Sequence, residues 1–157
     1  MKRVIALMLS VLALTGCAGV IPMETKDMQM QKVIEIPGTT KDTLFDKSRM
    51  WYAAAFRKAN AVIQYENKEN GRIMGNGIIS ISELGTPRDL RISVETEVKE
   101  NRSRITVSGL TLSDPRFGEM GVQKRYWDEF KIQINDMMNG YEQYLKGPAL
   151  SPKAENW

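Results

Sequence analysis

The sequence predicts an α+β fold, a two-layer sandwich in which two helices cover one face of an antiparallel five-stranded sheet, in the order β-α-β-β-β-β-α. Three observations carry that prediction. Two long segments repeat their apolar residues at three- and four-residue steps, as amphipathic helices do. Three others, at 28–36, 72–82 and 88–100, alternate from side to side as strands with one buried face do, and two shorter ones read as strands beside them. Short polar turns join the last strands, leaving no room for the crossovers that parallel pairing needs. One apolar stripe per helix and one apolar face per sheet are satisfied by packing the two layers together.

The first alternating segment is 28–36, with Met28, Met30, Lys32, Ile34 and Ile36 on one side and Gln29, Gln31, Val33 and Glu35 on the other. Pro37-Gly38 ends it, because proline cannot continue a ladder of hydrogen bonds. Thr39 or Thr40 then caps a helix, with Asp42 or Thr43 in a first turn whose N–H groups are free. Leu44, Phe45, Trp51, Tyr52, Ala55, Phe56 and Ala59 form one stripe, so a helix of about 19 residues is expected to lay an aromatic face on the sheet.

A short strand follows at 61–65, and the polar turn 66–71 ends in Asn70-Gly71, a pair suited to positive φ angles. The strand 72–82 places Ile73, Gly75, Gly77, Ile79 and Ile81 on one side, its glycines leaving space for a bend or a close neighbour under Trp51. After Leu84-Gly85-Thr86-Pro87, residues 88–100 turn Leu90, Ile92, Val94, Thr96 and Val98 inward and Arg91, Ser93, Glu95, Glu97 and Lys99 outward. The next strand, 103–112, carries Ile105 and Val107. A loop around Ser113-Asp114-Pro115 and Gly118 leads to a helix at 123–145 with Tyr126, Phe130, Ile134, Met137, Tyr141 and Leu145 on one side, stopped by Gly147-Pro148.

The N-terminus follows a different logic. Lys2 and Arg3 precede an apolar run from position 4 to position 14, which at 11 residues falls short of the roughly 20 needed to span a bilayer. Such a run suits a secretory signal. It ends in Leu14-Thr15-Gly16-Cys17, which resembles the lipobox of bacterial lipoproteins, with Leu14 at minus three, Gly16 at minus one and Cys17 the modified residue. The resemblance implies cleavage between Gly16 and Cys17, and attachment of diacylglycerol and palmitate-like acyl chains to the chain's single cysteine. Several acyl chains together hold a protein on its membrane without a spanning helix. The resemblance further implies a cell-envelope location, with the periplasmic face of the outer membrane favoured over the inner membrane because no aspartate follows Cys17.

The chain therefore divides into a signal at 1–16, a tether at 17–27, an α+β domain at 28–146 and a tail at 147–157. Removing the signal leaves 141 of the 157 residues, enough for one domain with a sizeable core. It also lowers the basic residues from 22 to 20 against 19 acids. A charge so near balance gives no electrostatic case for nucleic acid.

Residues Ile36-Pro37-Gly38-Thr39-Thr40-Lys41-Asp42-Thr43-Leu44-Phe45, then Met50-Trp51-Tyr52-Ala53-Ala54-Ala55-Phe56, Val62-Ile63-Gln64-Tyr65 and Gly71-Arg72-Ile73-Met74-Gly75-Asn76-Gly77, carry a second resemblance. They are similar to a bacterial family of unknown function whose fold is like one repeat of the TATA-binding protein, over about residues 30–112. The resemblance supports the fold and brings no catalytic or ligand residues with it.

A reaction centre is hard to assemble from these residues. The chain has no histidine, which removes the commonest general base and most zinc sites, and lipidation consumes its only thiol. Glu95 with Glu97 is the nearest carboxylate pair, though alternate acids on a strand more often form its wet face. The stretch 71–77 lacks the Lys-Ser or Lys-Thr pair and the helix of a phosphate loop. Ser48, Ser80 and Ser108 stand in no nucleophile motif, and the methionines of the mature chain fall mostly at core or tether positions. No cofactor or metal is expected. The reading is a non-catalytic module that binds an envelope protein or polymer. One alternative is a small-molecule or lipid-binding module using a gap lined by Trp51, Tyr52, Phe56, Tyr126 and Trp127; another is a histidine-free hydrolase.

Overall fold

The computed structural model describes residues 28–56, 63–83, 86–114, 118–122 and 124–148. The expected signal and tether, with Gly16 and Cys17, lie outside the described residues, as do tail residues 149–157, Ala59, Ala61, and the side chains of Ile81 and Tyr126.

The first strand, β1 (Met30–Glu35), leads into α1 (Lys41–Ala55). The Thr40 hydroxyl accepts from the Thr43 N–H at 3.3 Å and Asp42 sits in the first turn, which selects Thr40 as the cap. The helix is shorter than its sequence pattern suggests. Its hydrogen bonding closes at Phe56, whose N–H reaches the Tyr52 carbonyl, and Ala55 is exposed instead of lying in the apolar stripe. Ending there sets the Phe56 ring on the backbone of Gly77, where an added Cβ would lie 2.3 Å from a ring carbon. The glycine space expected beneath Trp51 is taken by Phe56.

The chain continues through β2 (Ile63–Asn67), β3 (Arg72–Glu83), β4 (Thr86–Lys99), β5 (Arg102–Asp114), β6 (Gly118–Gly121) and α2 (Lys124–Lys146). Neighbouring strands are antiparallel in the order β1-β5-β4-β3-β2, so the α+β sandwich is as expected. A sixth strand is added: β5 extends to Asp114, and β6 returns to pair with it where the sequence suggested only a loop. Gly-Glu-Met-Gly is too short to show an alternation that would betray a strand; its pairing with β5 makes it one.

The outer edge of β5 is shared by two partners, β1 along 102–107 and β6 along 111–114. Between them the register against β4 shifts by one residue, and Gly109 takes φ +62°. This is a bulge of the kind that places a left-handed glycine at the extra position and bends the strand. Its effect is visible in burial, because Ser103, Ile105 and Val107 point inward before it and Leu110 and Leu112 after it.

Both helices lie on the same face. Leu90, Ile92, Val94, Thr96 and Val98 of β4 are all buried beneath them. On α2 the buried line is Phe130, Ile134, Met138, Tyr141 and Leu145, whereas Met137, which the sequence placed on that line, is half-buried at its border. Trp51 makes edge-on contacts with Tyr52, Phe56 and Tyr141 at 5.3, 5.5 and 4.8 Å between ring centres, geometry favoured by the ring quadrupoles. Lys47 donates to the carbonyls of Leu145 and Gly147, each at 2.8 Å, closing the end of α2.

Candidate functional site: the open face of the sheet

With both helices on one side, the other side of β3, β4 and β5 has no covering layer among the described residues. Strand register fixes what stands there. Nearest the β4–β5 turn, Lys99 faces Arg102, which faces Glu35. The next row reads Val33, Arg104, Glu97 and Arg72, and the row after it Gln31, Thr106, Glu95 and Met74. Towards β6 the charges thin out into Ser108, Ser93 and Asn76, then Thr111, Arg91 and Ile78.

The charges largely answer one another across the strands. Glu95 pairs with Arg72, Glu97 with Arg104, and Glu119 with Arg91 at 2.5 Å, while Ser93 donates to Asn76 at 3.1 Å. The hydrogen bond to Glu95 raises the pKa of Arg72 above its ordinary value. Two shallow hollows mark this face. One, of about 260 Å³, is lined by Val33, Glu97, Lys99, Arg102, Ser103 and Arg104. The other, of about 420 Å³, lies at the bulge among Asn76, Arg91, Ser93, Thr111 and Glu119.

The turn that presents the first hollow is held rigidly. Asn101 takes φ +64°, a conformation asparagine tolerates better than most residues. Its side-chain oxygen accepts from the Gly38 N–H at 2.8 Å, its carbonyl accepts from Ile36 at 2.7 Å and its own N–H reaches Thr39 at 3.0 Å. The β1–α1 and β4–β5 turns are thus interlocked.

The helix-covered side is closed where a ligand gap was considered. Trp51, Tyr52 and Phe56 fill it with one another and with Tyr141, and Trp127 packs half-buried against the same core. Most of its polar groups are spent internally. The Tyr141 hydroxyl lies 2.7 Å from both Ser48 and Ser103, Ser48 also donates to the Leu44 carbonyl, and Tyr52 donates to the Val94 carbonyl at 3.0 Å. The Thr96 hydroxyl is buried beside both tyrosines without a well-formed bond to either. Burial raises the pKa of Tyr52 and Tyr141, so both stay neutral phenols.

The candidate residues of the sequence are therefore dispersed. Glu95 and Glu97 each hold an arginine, and no cluster of three metal-ligating side chains occurs among the described residues. Ser48 is buried on the sheet-facing side of α1, Ser80 donates to Asp89 at 3.0 Å, and Ser108 faces Ser93 on the open side. The buried Ser48–Tyr141–Ser103 group is not legible in the sequence as a unit, although Leu44, Ser48, Trp51 and Tyr52 share one helical face by spacing alone. On α2, Lys146 and Lys32 hold the Glu142 carboxyl down at about 2, and this links β1 to the helix away from the open face.

Residues 30–112 match the family described as a domain of unknown function (DUF4468) with TBP-like fold. Among solved structures, the chain is similar to a DUF4468 family protein from Bacteroides ovatus, at 14% identity over 86% of this chain and 95% of that one, with a TM-score of 0.63. It is also similar to a TBP-like protein from Parabacteroides distasonis, at 13% identity over 82% and 99% of the two chains, with a TM-score of 0.65. Among curated proteins none matches the chain.

Proposed function

The chain belongs to the DUF4468 family, the domain of unknown function with TBP-like fold, and from that premise we propose that it is a lipid-anchored module of the cell envelope which binds a partner on the open face of its sheet and performs no reaction. The observation that carries this reading is the contrast between the two sides. One is sealed by interlocking aromatic rings; the other is uncovered among the described residues, dished into two hollows and lined by polar and charged groups at fixed register. Cys17, from its lipobox setting, supplies the anchor, and residues 17–27 form the tether. The partner is an envelope protein or polymer, met at the periplasmic face of the outer membrane.

A nucleic-acid partner is disfavoured by the pairing of Arg72, Arg91 and Arg104 with carboxylates of the same face, since phosphate binding draws on cations free to release counterions. The filled gap between helices and sheet speaks against a small-molecule or lipid pocket there. A hydrolase is disfavoured because Ser48 is fully buried and bonded to the Leu44 carbonyl and Tyr141, and Ser80 and Ser108 stand beside no lysine among the described residues that would activate them.

An alanine scan of Arg72, Ser80, Glu95, Glu97, Arg104 and Ser108, with Glu66 and Glu69 as positions off the face, separates binding from catalysis in cells where deletion gives a scorable phenotype. Graded losses of about two- to tenfold on the face are expected, the size of single polar contacts, with little change at Glu66 or Glu69. One substitution that abolishes the phenotype at wild-type expression and thermal stability would overturn the reading.

A further inference from the structure

The open face carries five cations among the described residues: Arg72, Arg91, Lys99, Arg102 and Arg104. Three have carboxylate partners. Lys99 and Arg102 make no ion pair among the described residues, and they stand directly opposite one another across β4 and β5. Like charges at such a position oppose strand pairing. Glu35 is next in the row, across from Arg102 on β1, yet it lines no part of the hollow that Lys99, Arg102 and Arg104 share with Glu97. The interlocked Asn101 turn prevents the two cations from being relieved by a shift of the hairpin. Val33, 53% exposed, adds an apolar wall beside Arg104.

We propose that this hollow binds one oxyanion of the partner, a phosphate or a carboxylate, held between Lys99 and Arg102 with Arg104 at its rim. An anion there turns an unfavourable pair of cations into two charge-assisted hydrogen bonds. Glu97 remains engaged with Arg104 and limits the site to a single anionic group. The site rests on the reading of the open face as the working surface, but its test does not depend on the cellular phenotype, so either can fail alone.

The test is a thermal melt of the whole chain in neutral detergent at low salt, titrated with inorganic phosphate, with acetate, or with chloride at matched ionic strength. A saturable rise in Tm with phosphate or acetate beyond that with chloride is expected, and the stronger anion identifies the source. Lys99→Gln and Arg102→Gln should each weaken the apparent affinity about tenfold or more, and Lys99→Gln should raise Tm in anion-free buffer by removing the repulsion. Lys131→Gln on α2 should respond as wild type. Phosphate and acetate acting no better than chloride, or Lys99→Gln and Arg102→Gln titrating like the wild-type chain, would overturn the proposal.

Discussion

Trp51→Ala is expected to destabilise the domain by about 3–5 kcal/mol, the usual cost of truncating a buried tryptophan. Trp51 is 4% exposed and touches Tyr52, Phe56 and Tyr141 at once. Its loss opens a cavity at the junction of α1, α2 and the sheet. The neighbours cannot close it easily, because Tyr141 is pinned by Ser48 and Ser103 and Phe56 already rests on Gly77. Met50, one residue earlier, is 44% exposed, and Met50→Ala should cost under about 0.5 kcal/mol as an ordinary surface change. Urea melts of both variants decide the matter. A cost below about 1 kcal/mol for Trp51→Ala would mean that the aromatic junction does not hold the layers together.

Cys17→Ser is expected to abolish acylation altogether. The thioether to diacylglycerol needs sulfur, and the peptidase of this pathway acts on the modified precursor, so the variant should accumulate with residues 1–16 still attached. Labelling cells with radioactive palmitate and following the label into wild-type and variant chains measures it. The wild-type chain should carry label and the Cys17→Ser chain none. Label that persists in the variant would remove the anchor from the proposed function while leaving the fold and the open face untouched.

Much of this fold is legible in the sequence because burial on one side imposes a period. The alternation at 88–100 places Leu90, Ile92, Val94, Thr96 and Val98 inside, and each is buried. Thr40 is legible as a cap because its chemistry is local. What escapes the sequence depends on contacts between distant segments. The bulge at Gly109 is written as a break in phase, from Ile105 and Val107 to Leu110 and Leu112, but only the register with β4 shows which residue is extra. Strand β6 shows no period because it is four residues long and only Met120 of them packs against the core. Ala55 fits the helical stripe by spacing and is exposed because the helix closes at Phe56 to meet Gly77.

The candidate site is less legible for the same reason. Glu95 and Glu97 look like a carboxylate pair in one dimension. Register brings Arg72 from β3 and Arg104 from β5 beside them, and the pair becomes two ion pairs. Lys99 and Arg102 look like ordinary hairpin charges until the β4–β5 pairing sets them opposite each other, with neither held in an ion pair among the described residues.

In-cell photo-cross-linking with the intact chain reads the working surface directly. A photoreactive residue is placed at Asn76, Arg91 or Arg102 on the open face, and at Met50 on α1 or Ile132 on α2, both exposed on the helical side. Discrete adducts from the open-face positions, with little or none from Met50 and Ile132, are expected. Adducts from the helical side with none from the open face would contradict the assignment of the sheet as the surface that binds.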